Sequence, residues 1–153
     1  MNFKKHLFLF AGILSCSFIM AQQPSDILSV SASTKLEKAS LAFDKDPKTM
    51  WEVNGQDLKA DQWLQTPGDV CELNLQMQGV SKEELKQLMS VFVTYDPMNL
   101  GVPVDYQVKG SAKEMQVTFS PKYGAHVRLA FKGDSRVKPF SVKEVAVLLA
   151  DKV

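Results

Sequence analysis

The most distinctive stretch of the sequence reads Ala-Phe-Asp-Lys-Asp-Pro-Lys-Thr-Met-Trp and occupies residues 42–51. The carboxylates of Asp44 and Asp46 and the hydroxyl of Thr49 fall within six residues, and Trp51 follows them. This spacing predicts a tight polar loop that a large aromatic side chain anchors to a core. Such oxygens suit Ca²⁺, but the same pattern is typical of a turn with solvated Asp side chains. The loop alone leaves both interpretations open.

Short runs of alternating apolar and polar residues, separated by Gly, Pro, Asp and Asn, begin at Ile27. This period of two predicts strands over the following ranges: Leu28–Ser33, Val70–Gln76, Ser90–Tyr95, Val104–Lys109, Met115–Phe119, His126–Lys132 and Ser141–Leu149. One short helix is predicted near residues 81–89, because Ser81 and Glu84 match a capping box ahead of an apolar helical repeat. Strands at this spacing predict an all-β sandwich.

The N-terminus has the features of a signal peptide. Lys4 and Lys5 precede an apolar run over residues 7–20, and the small residue Ala21 stands at a plausible cleavage position. We therefore expect residues 1–21 to be removed on export. The mature protein is then predicted to be secreted or periplasmic, without a transmembrane segment.

Removal of that segment leaves residues 22–153, a length that suits a single domain with its own core. The removed segment contains two lysines and no acidic residue, so 18 basic residues become 16 against 17 acidic ones. A net charge near −1 follows from those counts. This balance indicates neither nucleic acid nor an anionic membrane as a partner.

The two cysteines bear on anchoring and stability. The residues before Cys16 loosely resemble a lipobox, so a lipid anchor at Cys16 is an alternative to soluble export. Retention of the apolar run as a membrane anchor is a second alternative, although a span needs about 20 apolar residues. Without Cys16, Cys71 has no partner for an internal disulfide, and its strand-like surroundings predict a buried, unreactive thiol.

Catalysis is not indicated by the residue pattern. His126 is the one histidine after residue 21, and it lies within a predicted strand. The sequence offers no Ser-His-Asp order, paired-carboxylate motif, zinc-ligand spacing or phosphate-binding glycine loop. We therefore predict a binding protein rather than an enzyme.

Several segments resemble one family when they are taken in order. Residues 31–33 and 42–51 are similar to the Ala-x-Ser and Ala-Phe-Asp-Gly-Asp to Thr-x-Trp signature of coagulation factor V/VIII type C domains, also called discoidin domains. This family includes many galactose-binding-like carbohydrate-binding modules. Further segments of this sequence resemble later strands of the family: residues 67–75, 105–111, 125–129 and 140–147. The resemblance implies a jelly-roll β-sandwich.

The resemblance also implies a structural Ca²⁺ in the first loop. Its candidate ligands in this sequence are the carbonyl of Leu41 and the side chains of Asp44, Asp46, Thr49 and Glu144. Strand alternation independently places Glu144 on one face with Val142, Ala146 and Leu148, where a carboxylate needs a partner. Lys45 replaces the glycine that the family has between its two Asp residues, so the loop is expected to close differently, and the Lys45 ammonium could pair with either carboxylate.

The function predicted from all of this is an exported, non-catalytic module that recognises a glycan or other cell-envelope carbohydrate through loops at one end of the sandwich. Trp63 and Tyr95 are the candidate ligand-binding aromatics because each adjoins a predicted loop, although either could pack at a sandwich edge instead. The alternative is a protein-interaction or assembly subunit at the cell envelope, without sugar binding. An exposed aromatic beside polar loop residues would favour the sugar, and a broad apolar patch would favour the protein partner.

Overall fold

The alternating segments form antiparallel strands in the computed structural model, which describes residues 16–20, 30–67, 70–111, 113–134 and 137–150. The strands are β1 Cys16–Met20, β2 Ser31–Ala32, β3 Trp51–Val53, β4 Gln62–Pro67, β5 Val70–Gln78, β6 Met89–Thr94, β7 Gln107–Ser111, β8 Glu114–Lys122, β9 His126–Phe131 and β10 Phe140–Ala150. Among the described residues, an α-helix, α1 (Lys82–Leu88), and the 3₁₀ helices Leu36–Ala42 and Asp57–Lys59 connect them.

Two sheets face each other. The first has the strand order β1-β10-β5-β8-β7, with β3 also paired to β10, and the second has the order β2-β4-β9-β6. From β4 onward the chain crosses between the sheets at most connections, since β4, β6 and β9 belong to one sheet and β5, β7, β8 and β10 to the other. The predicted all-β, jelly-roll sandwich is confirmed, and the short helix predicted near residues 81–89 is present.

The core lies between the sheets and follows the predicted alternation. In β9, Val127, Leu129 and Phe131 are buried, whereas the residues between them are partly exposed. Trp51 is also fully buried, its Nε1–H donates to the carbonyl of Thr34 at 2.9 Å, and its ring centroid lies 6.3 Å from that of Phe131. Trp51 therefore anchors the polar loop to the core, as its position in the sequence predicted.

Helix α1 begins at the predicted capping box. The backbone N–H of Glu84 donates to Ser81 Oγ at 3.1 Å, and the backbone N–H of Ser81 donates to Glu84 Oε2 at 2.8 Å. Leu85 and Leu88 are buried, so the apolar face of the helix covers one end of the core. The prediction for residues 81–89 is confirmed apart from Met89, which opens β6.

Besides β1, two strands were not predicted, and two predicted strands begin later than expected. β3 has only three residues, and β4 buries Gln65 and Thr66 beside Leu64, which breaks the alternating pattern. The strand predicted over Val104–Lys109 begins only at Gln107, although the N–H of Val104 still donates to the carbonyl of Val91 at 2.8 Å. Of the strand predicted over 28–33, residues 31–32 form β2, and residues 28–29 lie outside the described part.

β1 lies inside the predicted signal peptide. Its residues pair with the last part of β10, with Cys16 opposite Ala150 and Met20 opposite Leu148. Residues 1–15 and 21–29 lie outside the described part, so cleavage after residue 21 and the lipid anchor stay predictions. The side chain of Cys71 also lies outside it. In the described part, no helix has both the length and the apolar character needed to span a membrane.

Candidate functional site

The polar loop gathers oxygen atoms around the Thr49 hydroxyl. Thr49 Oγ1 lies 2.7 Å from Asp44 Oδ2, 2.9 Å from the carbonyl of Asp46 and 3.4 Å from the carbonyl of Leu41. A hydroxyl donates a single proton, so it can satisfy only one of these three acceptors. The structure thus brings four of the five predicted ligand residues together, and Asp46 contributes its carbonyl rather than its side chain to this group.

Backbone hydrogen bonds fix the loop in this shape. Asp44 Oδ1 accepts from the N–H of Asp46 at 2.9 Å, and Asp46 Oδ1 accepts from the N–H of Lys48 at 3.0 Å. Lys45 adopts a φ of 65°, the left-handed conformation for which glycine is the usual residue. The loop therefore closes with Lys in place of the family's glycine, and the Asx turns expected from the sequence are present.

Lys45 does not form the ion pair that the sequence suggested. Over the described ranges the ion pairs are Lys35 with Asp57 and Lys82 with Glu83. Neither Asp44 nor Asp46 is paired to a lysine in this set. The carboxylate of Asp44 is therefore held by the Thr49 hydroxyl and the Asp46 amide.

The fifth predicted ligand, Glu144, reaches the loop because β10 contains an irregularity. Val142 pairs with Met77, but Glu144 pairs with Gln76, so the register shifts by one residue between them. This is the effect of a β-bulge, which places two residues opposite one and turns the following side chain to the other face. Val142 and Val145 both face the core, and Glu144 points outward. The prediction that Glu144 shares a face with Val142 is therefore wrong.

The Glu144 carboxyl group is mostly buried, with 9% of the residue exposed, and its Oε2 atom has no hydrogen-bond partner. Burial and the nearby charge of Asp44 raise the pKa of Glu144 to about 7, although the backbone N–H groups of Lys45 and Val145 and the charge of Lys45 act in the opposite direction. Glu144 and the loop residues Phe43, Lys45 and Pro47 line a small cavity of about 160 Å³. A buried carboxylate oxygen without a partner is costly unless a cation or a donor satisfies it.

A metal ion at this loop would be bound by oxygen atoms of three kinds: carboxylate, hydroxyl and backbone carbonyl. The described residues contain no cluster of three or more His, Cys, Asp or Glu side chains that could hold a metal ion. The loop and β10 together offer two carboxylates, those of Asp44 and Glu144, with the Thr49 hydroxyl and the carbonyls of Leu41 and Asp46. Hard oxygen ligands of these types fit Ca²⁺, which accepts carbonyl oxygens as readily as carboxylates.

The two candidate aromatics lie apart. Trp63 is half-buried on β4, where it pairs with Ala130, which in turn pairs with Ser90 of β6. Tyr95 follows the far end of β6 and is 72% exposed. Tyr95 is five residues after Ser90 in the chain, about 17 Å away at the usual rise per residue of a strand. The two aromatics therefore do not form one binding platform.

Trp63 lines a cleft on the outer face of the second sheet. The cleft has a volume of about 450 Å³, and its lining includes Ser90, Phe92, Leu100 and Arg128. Leu100 comes from the loop after β6, which folds back toward this sheet. The loop thus adds a wall to a sheet face, and the lining continues to Gln87 and Leu88 of α1.

Arg128 contacts Trp63 in the cleft, and the sequence did not predict it as a site residue. Its guanidinium carbon lies 4.1 Å from the centroid of the Trp63 ring. Its Nε–H donates to Gln65 Oε1 at 2.8 Å and its Nη2–H to the carbonyl of Pro97 at 3.5 Å, and desolvation by burial lowers its pKa. Only the strand register, which sets Arg128 opposite Gln65 and diagonal to Trp63, brings these residues together.

Comparison with protein-family models and with curated proteins gave no match. Among solved structures, the CBM32 of AlyQ in complex with 4,5-unsaturated mannuronic acid matches 80% of this chain and 95% of its own, with a TM-score of 0.56 and 20% identity. Chitosan-binding module 1 from a chitosanase/glucanase of Paenibacillus sp. IK-5 matches 77% and 92%, with a TM-score of 0.56 and 20% identity. This chain has the discoidin-like fold.

A third discoidin-like structure shows how varied the ligands of this fold are. The family 32 module of NanJ from Clostridium perfringens, in complex with galactose, covers 78% of this chain and 91% of its own at 20% identity, with a TM-score of 0.53. The ligands of these three modules are an acidic sugar, a polymer of amino sugars and a neutral sugar. A shared fold does not choose between such ligands, so the choice for this chain depends on its own side chains.

Proposed function

We propose that this chain is an exported, non-catalytic carbohydrate-binding module whose ligand lies in the sheet-face cleft beside Trp63. The observation that carries the proposal is a half-buried aromatic ring in a cleft of about 450 Å³ that also contains polar side chains. Small-ligand sites combine apolar and aromatic walls with a few polar groups that fix orientation. The discoidin-like fold supports the proposal because the compared structures are carbohydrate-binding modules. Export rests on the N-terminal sequence.

A glycan array with the purified chain and two variants tests this proposal. Trp63→Ala should lose the bound glycans, because it removes the ring and the support of the guanidinium. Tyr95→Ala is the matched control, since Tyr95 lies outside the cleft on an exposed loop. Binding that survives Trp63→Ala and fails in Tyr95→Ala would move the site to the loop end. The absence of glycan binding by the wild-type chain would refute the function itself.

We also propose that the polar loop holds a structural Ca²⁺. The support is the buried Glu144 oxygen without a partner, next to a loop in which one hydroxyl faces three acceptors. The side chains of Asp44, Thr49 and Glu144 and the carbonyls of Leu41 and Asp46 would supply the ligands. The ion would join the loop to β10.

A thermal melt with Ca²⁺ and with a chelator tests the calcium proposal. Ca²⁺ should raise the melting temperature of the wild-type chain and leave that of Asp44→Asn unchanged. Asp96→Asn is the matched control, because Asp96 forms a similar turn with the N–H of Met98 at 2.9 Å in another loop. Equal melting temperatures with Ca²⁺ and with chelator would refute a structural ion.

One feature favours the second candidate function, a protein-interaction or assembly subunit. The loop after β6 exposes Tyr95 by 72%, Met98 by 93% and Val102 by 75%. Contiguous exposed apolar side chains often mark a protein-binding surface. Sedimentation of the wild-type chain beside a Met98→Ser, Val102→Ser double variant tests self-assembly. A larger species that forms in the wild-type chain and is absent from the double variant would support self-assembly. Monomers in both samples would count against it.

A further inference from the structure

The sheet-face cleft contains a cation without an acidic partner. Across the described residues, neither ion pair involves Arg128. Its guanidinium is nevertheless removed from solvent far enough that desolvation lowers its pKa. A partly buried charge is stable only when something of opposite charge or a full set of hydrogen bonds compensates it. Arg128 is therefore poised to receive an anionic group.

The geometry of Arg128 leaves donors for such a group. A guanidinium carries five N–H donors in a planar fork. The hydrogen bonds found for Arg128 in the described part use Nε–H, toward Gln65, and one Nη2–H, toward Pro97 at the long distance of 3.5 Å. The Trp63 ring, 4.1 Å away, holds the plane of the guanidinium in place. A fork that is already oriented matches the two oxygens of a carboxylate.

The rest of the cleft has the charge and composition for an acidic sugar. Lys132 adds a second cation to the lining, and the acidic side chain there, Asp61, accepts from the N–H of Gly133 at 2.7 Å. Ser90 and Gln87 offer hydrogen bonds for sugar hydroxyls, and Phe92 offers apolar surface. The volume of about 450 Å³ lies within the usual range for small-ligand pockets.

We infer that the cleft binds uronic-acid sugars and that Arg128 receives their carboxylate while Trp63 orients the guanidinium. This inference rests on the proposed carbohydrate-binding function and narrows its ligand class to acidic glycans. A sulfate ester on a glycan would present related anionic chemistry. The carboxylate is the better match because its two coplanar oxygens fit the planar fork of an arginine.

Tryptophan fluorescence can measure this binding directly. The chain has two tryptophans, and Trp51 is fully buried, so a ligand-induced change reports on Trp63. The probes are tetrasaccharides of galacturonic acid and of mannuronic acid, each beside its carboxyl-reduced form, with a sulfated galactan oligosaccharide as a further arm. The wild-type chain should bind at least one acidic probe about tenfold or more tightly than its reduced form, the effect expected for a charge-assisted hydrogen bond.

Variants at Arg128 assign the effect. Arg128→Gln should weaken binding of the acidic probe by about 10- to 100-fold and leave the reduced probe unchanged. Arg128→Lys keeps the charge without the planar fork, so its affinity for the acidic probe should lie between those of the wild type and Arg128→Gln. If circular dichroism shows that Arg128→Gln does not fold, Arg128→Lys is used in its place. Lys109→Gln is the matched control, because Lys109 is an exposed cation on β7 of the other sheet. It should bind like the wild type.

The outcomes separate this inference from the function on which it rests. Acidic and reduced probes bound equally well, or acidic binding unchanged in the folded Arg128 variants, would overturn the uronic-acid inference and leave carbohydrate binding in place. Preference for the sulfated probe over both uronic acids would also overturn it. If no probe binds, and the glycan array is empty as well, both the inference and the proposed function fail.

Discussion

Replacement of Glu144 by Gln should remove a pH dependence of stability that the metal-free chain owes to this one carboxyl group. Burial and the charge of Asp44 raise the pKa of Glu144 from its ordinary value of 4.5 to about 7. Between these two pH values the folded chain holds a proton that the unfolded chain has released. The folded state therefore binds more protons, and the free energy of unfolding must fall as the pH rises from 4.5 through 7.

The size of the effect follows from the same shift. Each pH unit between the two pKa values is worth about 1.4 kcal/mol, so the rise from 4.5 to about 7 corresponds to a loss of at most about 3.5 kcal/mol above pH 7. Gln resembles the protonated carboxyl group and cannot ionise. In chelator, Glu144→Gln should therefore equal the wild type near pH 4.5 and exceed its unfolding free energy at pH 8 by up to about 3.5 kcal/mol.

Urea unfolding at a series of pH values from 4.5 to 8, in chelator, measures the effect. The groups that face Glu144 include Asp44 and Lys45 from the loop and Gln76 from β5. Glu72→Gln is the matched control, because Glu72 is a buried carboxylate on β5 whose Oε1 accepts from Gln116 at 2.8 Å. Parallel pH curves for the wild type and Glu144→Gln would refute the reasoning, whatever the control does.

The remaining predictions concern single contacts. Tyr106→Phe should lower the unfolding free energy by about 1 kcal/mol, because the buried hydroxyl donates to the carbonyl of Met89 at 2.6 Å. Burial raises the pKa of Tyr106 to about 12, so the wild-type chain should lose stability between pH 10 and 12 and the variant should not. Urea unfolding at neutral and alkaline pH measures both effects. Ser81→Ala should cost about 1 kcal/mol by loss of the helix cap, measured by urea unfolding, whereas Ser81→Thr should restore most of it. Lys45→Gly should raise the unfolding free energy by up to about 1 kcal/mol, because glycine adopts a positive φ without strain; a lower melting temperature in chelator would contradict this.

Local patterns in the sequence were enough for much of this fold. The spacing of Asp44, Thr49 and Trp51 predicted an anchored polar loop, and the Ser81 capping box predicted helix α1, because each depends on residues close together in the chain. Alternation predicted most strands from β5 onward for the same reason. The clustering of Leu41, Asp44 and Thr49 oxygens is likewise a local property of one tight loop.

What the sequence could not predict depends on register between distant strands. Alternation assigns faces correctly only until a bulge occurs, and the irregularity between Val142 and Glu144 reverses the face of Glu144. The cleft depends on a cross-strand pair, Gln65 with Arg128, whose partners are 63 residues apart. The residue pattern of neither segment indicates that pairing. The sequence therefore predicted Trp63 as a ligand-binding residue and did not predict Arg128.

The two proposed sites lie on opposite outer faces of the sandwich, and this placement makes them separable. Glu144 points outward from β10 in one sheet, and Arg128 points outward from β9 in the other, with Phe131 and the rest of the core between the sheets. The contacts that orient Arg128, to Gln65 and Trp63, involve no residue of the polar loop. Removal of Ca²⁺ should therefore lower the melting temperature without changing the affinity for an acidic tetrasaccharide measured well below it. A change in that affinity of about fivefold or more would reveal a coupling free energy between the sites that the contacts of Arg128 do not provide.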